Sequence, residues 1–238
     1  LFVLLGSTRI SPRFILLLHG GRPLSPEEVP YLYQVVNRLT EQAGINSIPT
    51  LYYIPDKLMT IFTTGLSNNA AIAFSYSIVR HLTDRELVAV MAHEISHISG
   101  NDLLVKMMAG IITRLTNIMA LTGFILVLIY IPMYVLTDET IPWLLLIILM
   151  VAPTLSALMQ LALSRSREYR ADLEAVKLTE DPLSLASALE KIESYQMNWL
   201  EKIFIPGRRV NIPAFLRTHP LVNEWVKRLK DLAKEMGL

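Results

Sequence analysis

The sequence contains no cysteine and few charged residues. Of its 238 residues none is cysteine and 18% are charged, whereas 52% are hydrophobic. The absence of cysteine excludes disulfide bonds, a thiol nucleophile and thiolate metal ligands, so any metal must be held by histidine and carboxylate side chains. The net charge of +1 provides no basic field for nucleic acid. The hydrophobic residues are concentrated in one region, which points to membrane segments.

Two long stretches of the chain lack charge altogether. Residues 115–136 and 141–163 contain no Asp, Glu, Lys or Arg, and each is long enough to cross about 30 Å of hydrocarbon as a helix. Residues 137–140 between them are too few for more than a turn, so we predict an antiparallel transmembrane hairpin. The alternative is two buried helices of a soluble core, which is disfavoured because neither stretch has a polar stripe.

Positive charge flanks the outer ends of this predicted hairpin, whereas the connecting turn carries two acids and no base. By the positive-inside rule, we predict that both ends of the hairpin lie on the cytoplasmic side of a prokaryotic inner membrane. The basic residues are Lys106 and Arg114 before the first span, and Arg165, Arg167 and Arg170 after the second.

A zinc-site motif precedes the hairpin. His93 and His97 are four residues apart, in a helix predicted from the capping box formed by Thr83 and Glu86. Two imidazoles at this spacing share one helix face, and Glu94, directly after the first histidine, can reach a water held between them. The motif predicts a zinc hydrolase with Glu94 as general base. A histidine pair buried in the core is the plainer alternative.

The third zinc ligand is expected at the same depth as the two histidines. The hairpin returns the chain to the cytoplasmic surface near Leu163, and Glu168 follows about 7 Å further along a helix. Glu168 and Asp172 share a helix face. We therefore predict Glu168 as the third ligand and Asp172 as the carboxylate that orients His93 through its other ring nitrogen. A set of alternating surface charges is the alternative for this pair.

The rest of the chain is predicted to be a small sheet and packing helices. The third predicted strand is expected to bind an extended peptide at a sheet edge through Asn69, Ala71, Ala73 and Ser75, although an internal strand is an equally good interpretation. The strands are predicted at residues 50–54, 58–64 and 71–79. Helices are predicted from the cap at Ser25 to Gly44, at 183–199 and at 223–236, with an irregular loop at 202–216.

Several ordered blocks together resemble the HtpX family of membrane zinc metalloproteases, which are related to the CAAX prenyl endopeptidases. The blocks are the motif at residues 93–97, Ser164–Asp172 with its S-R-x-R-E-Y-x-A-D pattern, the hairpin between them, Asn69 and Ala70 before the third strand, and Thr218, His219 and Pro220.

The resemblance implies zinc held by His93, His97 and Glu168, catalysis by Glu94, and degradation of misfolded or damaged membrane proteins. His219 matches a family segment in which a cationic or hydrogen-bonding group near the zinc could stabilise the oxyanion. The alternative interpretation of His219 is a helix-start residue packed before Pro220. His19 and His81 match no motif and are interpreted as structural.

Two departures from the family pattern concern the ends of the chain. HtpX proteins usually have two further N-terminal spans. The short apolar runs after Leu1 lack the charged start and the cleavage site of a signal peptide, so we interpret the N-terminus as truncated. Leu221 stands where the family has a second proline.

The fold expected from these patterns is α+β and mainly α, a zincin-like metalloprotease domain with a small sheet, interrupted by the hairpin. The predicted segments are 1–102, 103–163 and 164–238. The predicted partners are one zinc ion, polypeptide substrates and the lipid bilayer, without nucleic acid. The alternatives are a dedicated processing protease of the CAAX prenyl type and a membrane scaffold or chaperone that zinc only braces.

Overall fold

A computed structural model describes residue 16 and residues 20–137, 140, 142–204 and 222–237. Within them, a mainly helical α+β fold with a small sheet and two long apolar helices confirms the predicted class. The elements in chain order are β1 (Arg22–Pro23), α1 (Pro30–Gln42), β2 (Thr50–Ile54), β3 (Ile61–Thr64), β4 (Ala71–Ser75), α2 (Tyr76–His81), α3 (Asp84–Ser99), α4 (Asp102–Thr137), α5 (Trp143–Thr179), α6 (Pro182–Phe204) and α7 (Val222–Glu235).

Two compact units divide the described residues. One contains residues 104–167, and the other contains the described parts of residues 10–103 and 168–238. We call the first the hairpin unit and the second the site unit. Helices α4 and α5 each have residues in both units.

The first helix starts later than its cap pattern predicts. The backbone N–H of Ser25 donates to Glu28 Oε2 at 2.9 Å, but this closes a turn, and α1 begins at Pro30. Proline suits that position because the N–H it lacks has no partner inside the helix. Gly44, with φ +68°, follows the helix where glycine readily adopts the left-handed conformation.

The sheet order corrects the prediction of a peptide-binding edge on the third strand. The strands lie in the order β1-β2-β4-β3, with β4 parallel to β2 and antiparallel to β3. β4 is therefore internal, and the prediction that Ala71, Ala73 and Ser75 lie at a free edge is wrong because two neighbouring strands flank them. Asn69 lies in the preceding turn, where its N–H donates to Leu66 O at 2.8 Å.

The predicted third strand is also too long. It ends at Ser75, and α2 begins at Tyr76. The hydroxyl of Ser75 accepts the backbone N–H of Ile78 at 3.4 Å, so it caps this short helix. The alternation of large and small residues continues past Ser75, and it concealed the cap.

The core of the site unit surrounds α3. This helix packs against α1, β3 and α6, and its Met91 and Ile95 are completely buried among apolar residues of the sheet and the neighbouring helices. Seven apolar side chains of α3 are buried, and their burial fixes the face that α3 turns towards the core. The motif residues are thereby held on a rigid element.

The hairpin unit is apolar on its surface. Helices α4 and α5 are each long and apolar enough to cross a membrane, and side chains such as Leu128 and Met159 are more than half exposed. Soluble proteins rarely expose so much contiguous apolar surface. Gln160 of α5 hydrogen-bonds to Thr113 of α4 at 3.0 Å, which joins the two helices within this unit.

Some predicted features lie outside the described residues. These are the acidic residues of the hairpin turn, Asp138 and Glu139, together with His19, His219 and residues 205–216 of the predicted loop. Helix α6 extends to Phe204, past its predicted end, whereas α7 closely matches its predicted range.

Candidate active site

Helix α3 presents the two motif histidines on adjacent turns. Its start is fixed by the predicted capping box, because the Thr83 side chain accepts from the Glu86 backbone N–H and the Glu86 carboxylate accepts from the Thr83 backbone N–H. Ten residues later the rings of His93 and His97 lie perpendicular to each other, with their Nε2 atoms 3.1 Å apart. Both side chains are nearly buried, with 11% of their surface exposed.

Glu168 completes a group of three potential metal ligands. Its Oε2 atom lies 3.5 Å from Nε2 of His93 and 3.5 Å from Nε2 of His97. Tetrahedral zinc with bonds of about 2.0–2.1 Å places neighbouring ligand atoms about 3.3–3.4 Å apart. The three observed distances therefore fit a zinc ion, and two imidazoles with one carboxylate are a donor set that zinc accepts. Glu168 lies on α5, and its carboxylate contacts this group after the chain returns from the two apolar stretches.

Asp172 lies behind His93. Its Oδ1 atom is 2.9 Å from His93 Nδ1, the ring nitrogen that faces away from Glu168. The approach angle is poorer than in a regular hydrogen bond, and both atoms are fully buried. A carboxylate at this nitrogen favours the tautomer that leaves Nε2 free to bind a metal. Asp172 therefore lies beside the imidazole of His93, the ring next to which the sequence analysis predicted it.

Asp102 lies behind the second histidine, and no motif in the sequence predicted this position. Its Oδ2 atom is 2.6 Å from His97 Nδ1, while its Oδ1 atom accepts from Arg170 Nη2 at 2.8 Å. Asn101, with φ +53°, turns the chain between α3 and α4 and places Asp102 at the start of α4. The only sequence signal was an aspartate five residues after His97.

The charges of this group favour a bound cation. Burial lowers the pKa of His93, but the carboxylates of Asp172 and Glu168 raise it by more, to about 10. Burial likewise lowers the pKa of His97, and Asp102 and Glu168 raise it overall. Burial raises the pKa of Glu168, yet the two imidazoles bring it well below its ordinary range. Negative charge from carboxylates therefore dominates here, as a metal cation requires.

Glu94 faces strand β3. Its Oε2 atom accepts a hydrogen bond of 2.7 Å from the hydroxyl of Thr63, and the side chain is almost buried. Thr63 lies near the end of β3, which is an edge strand of the described sheet. No sequence pattern pointed to Thr63, because Thr63 and Glu94 are 31 positions apart in the chain. The candidate general base thus lies next to the edge strand.

The remaining predicted site residues are not part of this cluster. Asn69, Ala71, Ala73 and Ser75 belong to the turn and the internal strand described above, and His219 lies outside the described residues. The ring of His81 lies 5.0 Å from that of Tyr195, and its Nδ1 atom is 2.9 Å from Ser77 O. This position fits the structural role predicted for His81.

Known proteins resemble this chain over nearly its whole length. The model of peptidase family M48 matches residues 26–234. A protein named Protease HtpX homolog from Pyrococcus furiosus is 35% identical over 254 residues, covering all of this chain and 86% of that protein. The protein of the same name from Aquifex aeolicus is 33% identical, covering 95% of this chain and 80% of that protein.

A solved structure shares the fold. Ste24p from S. mikatae superposes with a TM-score of 0.54 at 19% sequence identity. The match covers 95% of this chain and 56% of the Ste24p chain, so this chain spans little more than half the length of that protein.

Proposed function

The chain belongs to peptidase family M48 and is a membrane metalloprotease, and from this premise we propose that it is a zinc-dependent endopeptidase that degrades misfolded or damaged membrane proteins. The observation that carries the proposal is the convergence of His93, His97 and Glu168 at the ligand spacing of tetrahedral zinc, next to the carboxylate of Glu94. A processing protease of the CAAX prenyl type has no comparable observation in its favour.

The proposed ligands are the Nε2 atoms of His93 and His97 and one carboxylate oxygen of Glu168. Asp172 would keep His93 in the tautomer that exposes this Nε2 lone pair. A zinc ion held by these atoms would supply a Lewis acid that polarises the scissile carbonyl and lowers the pKa of water from 15.7 to about 7.

Glu94 is proposed as the general base and then the general acid. Its carboxylate accepts a proton from the attacking water and afterwards delivers it to the nitrogen of the leaving amine. The hydrogen bond from Thr63 restricts the carboxylate during both transfers, since it fixes one of the two oxygens. Peptide-bond hydrolysis then proceeds without a covalent enzyme intermediate.

We propose that the substrate adds as an extended strand to β3. This strand lies at an edge of the described sheet and carries Thr63, which contacts the general base. Backbone hydrogen bonds to a sheet edge tolerate many side-chain sequences, which suits a protease acting on diverse unfolded chains. The proposed binding strand is therefore β3 at the edge of the sheet, and not the internal strand β4.

The proposed orientation places the active site on the cytoplasmic side of a prokaryotic inner membrane. Basic residues lie before the first span and after the second, and positive charge close to a span remains on the cytoplasmic side. Unfolded cytoplasmic loops of membrane proteins would be accessible to a site at this face.

Replacing Glu94 by glutamine tests the proposal. Glutamine preserves the shape of the side chain but accepts protons poorly, so Glu94→Gln should bind one zinc ion per chain and lose cleavage of unfolded casein. Glu174→Gln is the matched control, because Glu174 is exposed on α5 and pairs only locally with Lys177. This control variant should cleave casein at the wild-type rate.

The same assay separates the rival functions. Casein cleavage by Glu94→Gln at the wild-type rate would exclude the general-base role. A wild-type protein that holds zinc but cleaves no substrate would indicate the zinc-braced scaffold. Cleavage of a prenylated peptide in preference to casein would indicate a dedicated processing protease.

A further inference from the structure

We propose that Asp102 is the positioning residue of His97, and that Arg170 and Gly100 hold Asp102 in place. This inference deepens the proposed function and rests on it, because His97 matters in this way only as a metal ligand. It explains what fixes the orientation of the second imidazole, since the motif contains no residue for this role.

The contacts of Asp102 divide between its two oxygens. Oδ2 lies 2.6 Å from His97 Nδ1, and Oδ1 lies 2.8 Å from Arg170 Nη2. Only 1% of the Asp102 side chain is exposed. An isolated carboxylate at that depth would be strongly destabilising, so the guanidinium provides compensating charge. The second oxygen is thereby kept on the imidazole.

The orientation of His97 follows from this contact. When Nδ1 carries the proton and its N–H donates a hydrogen bond to Asp102, the lone pair of Nε2 is free to point at the metal. Asp172 Oδ1 lies 2.9 Å from the corresponding ring nitrogen of His93, although at a poorer angle. Each of the two imidazoles is therefore adjacent to a carboxylate, one at the start of α4 and one on α5.

Gly100 provides the space for the guanidinium. A Cβ atom at this position would lie 1.5 Å from Arg170 Nη2 and 2.4 Å from its Cζ atom. The backbone of Gly100 has φ −76°, which any residue adopts, so the requirement for glycine is spatial. Any larger side chain forces the Arg170 guanidinium to shift, and we expect this shift to weaken its contact with Asp102.

The experiment measures zinc affinity of the full-length protein in detergent by competition with a chelator. Asp102→Asn keeps the size of the side chain and its suitability for a helix start, but removes the charge. We expect its zinc affinity to fall about 10- to 100-fold, the usual effect of removing a carboxylate behind a ligating histidine. The absorption spectrum of the cobalt-substituted protein should change as well, since it reports the ligand geometry.

Two glycine variants test the role of Arg170. Gly100→Ala should lower zinc affinity about tenfold, whereas Gly110→Ala should leave it unchanged because nothing lies within 4 Å of a Cβ there. In an Arg170→Ala background, Gly100→Ala should have no further effect, because the obstructing guanidinium is absent. An equal loss of affinity in both backgrounds would overturn the role of Arg170.

The outcomes also separate this inference from the proposed function. Wild-type zinc affinity and an unchanged cobalt spectrum in Asp102→Asn would overturn the inference while leaving the zinc protease intact. A lower thermal stability of the metal-free variant with unchanged zinc affinity would show that Asp102 only starts α4. A wild-type protein without zinc binding would overturn both proposals.

Discussion

Replacing Glu86 by glutamine perturbs the junction between α3 and α6. The Glu86 carboxylate accepts from the Thr83 backbone at 2.8 Å, from the Ser187 hydroxyl at 2.6 Å and from the Lys191 ammonium at 2.8 Å. Only 6% of the side chain is exposed. Glutamine would present an NH2 group to some of these donors, so part of the cluster would lose its acceptor.

The expected loss of folding stability in Glu86→Gln follows from the pKa of Glu86. Burial raises this pKa, but the hydrogen bonds from Lys191, Ser187 and Thr83 lower it overall, from 4.5 to about 2. At about 1.4 kcal/mol per pKa unit, the ionised form is worth about 3 kcal/mol of folding stability. The Lys191 side chain is 44% exposed, and solvent screening reduces the expected value to about 2–3 kcal/mol.

The direction of the pKa shift of Glu86 determines how its contribution to stability depends on pH. A carboxyl whose pKa is lowered by folding stabilises the protein above pH 4.5, and this contribution disappears as the pH falls towards 2. The difference in unfolding free energy between wild type and Glu86→Gln should therefore be greatest at pH 6–7 and fall by about half by pH 3.

The assay is denaturant unfolding of the metal-free protein in detergent, followed by circular dichroism across this pH range. The proposed metal ligands also titrate, but they are common to both proteins, so their contribution cancels in the difference. Glu190→Gln is the matched control, because Glu190 forms an exposed pair with Lys230, and its effect should stay within about 0–1 kcal/mol. A difference for Glu86→Gln that stays constant from pH 7 to pH 3 would refute the reasoning.

Two further predictions concern residues next to the proposed metal ligands and the proposed general base. Asp172→Asn should lower zinc affinity about 10- to 100-fold, measured by chelator competition, because His93 loses the charged group behind its ring; an unchanged affinity would contradict that role. Thr63→Val should leave zinc content unchanged and lower kcat for casein by about tenfold, because a hydrogen bond to a charged group contributes about 1.5–3 kcal/mol. A fall in zinc content in Thr63→Val would instead indicate a disturbed metal site.

The features that the sequence predicted well depend on local patterns. The capping box of Thr83 and Glu86 needs a spacing of three residues, and it marks the start of α3 correctly. The uncharged stretches define two long helices in the same way. Glu168 was a longer-range prediction, but a hairpin of two equal spans restricts where the chain returns. The chain therefore brings Glu168 to the histidines, as expected.

The features that the sequence did not predict depend on non-local pairing. The order of the strands is set by which edges meet in the folded sheet, so the alternating pattern of residues 71–79 could not reveal that β4 is internal. Thr63 and Glu94 meet across 31 positions. Asp102 is close to His97 in sequence, but its approach requires the left-handed conformation of Asn101, which a non-glycine residue adopts infrequently.

The separation between His97 and Glu168 has a consequence for the synthesis of the protein. The two histidines leave the ribosome first, and the proposed third ligand follows 71 residues later, after both apolar stretches. At about 5–20 residues per second, that interval lasts about 4–14 s. During this time a nascent chain with the complete His-Glu-His motif still lacks the proposed third ligand, so we expect it to have no proteolytic activity until its membrane segments have been made.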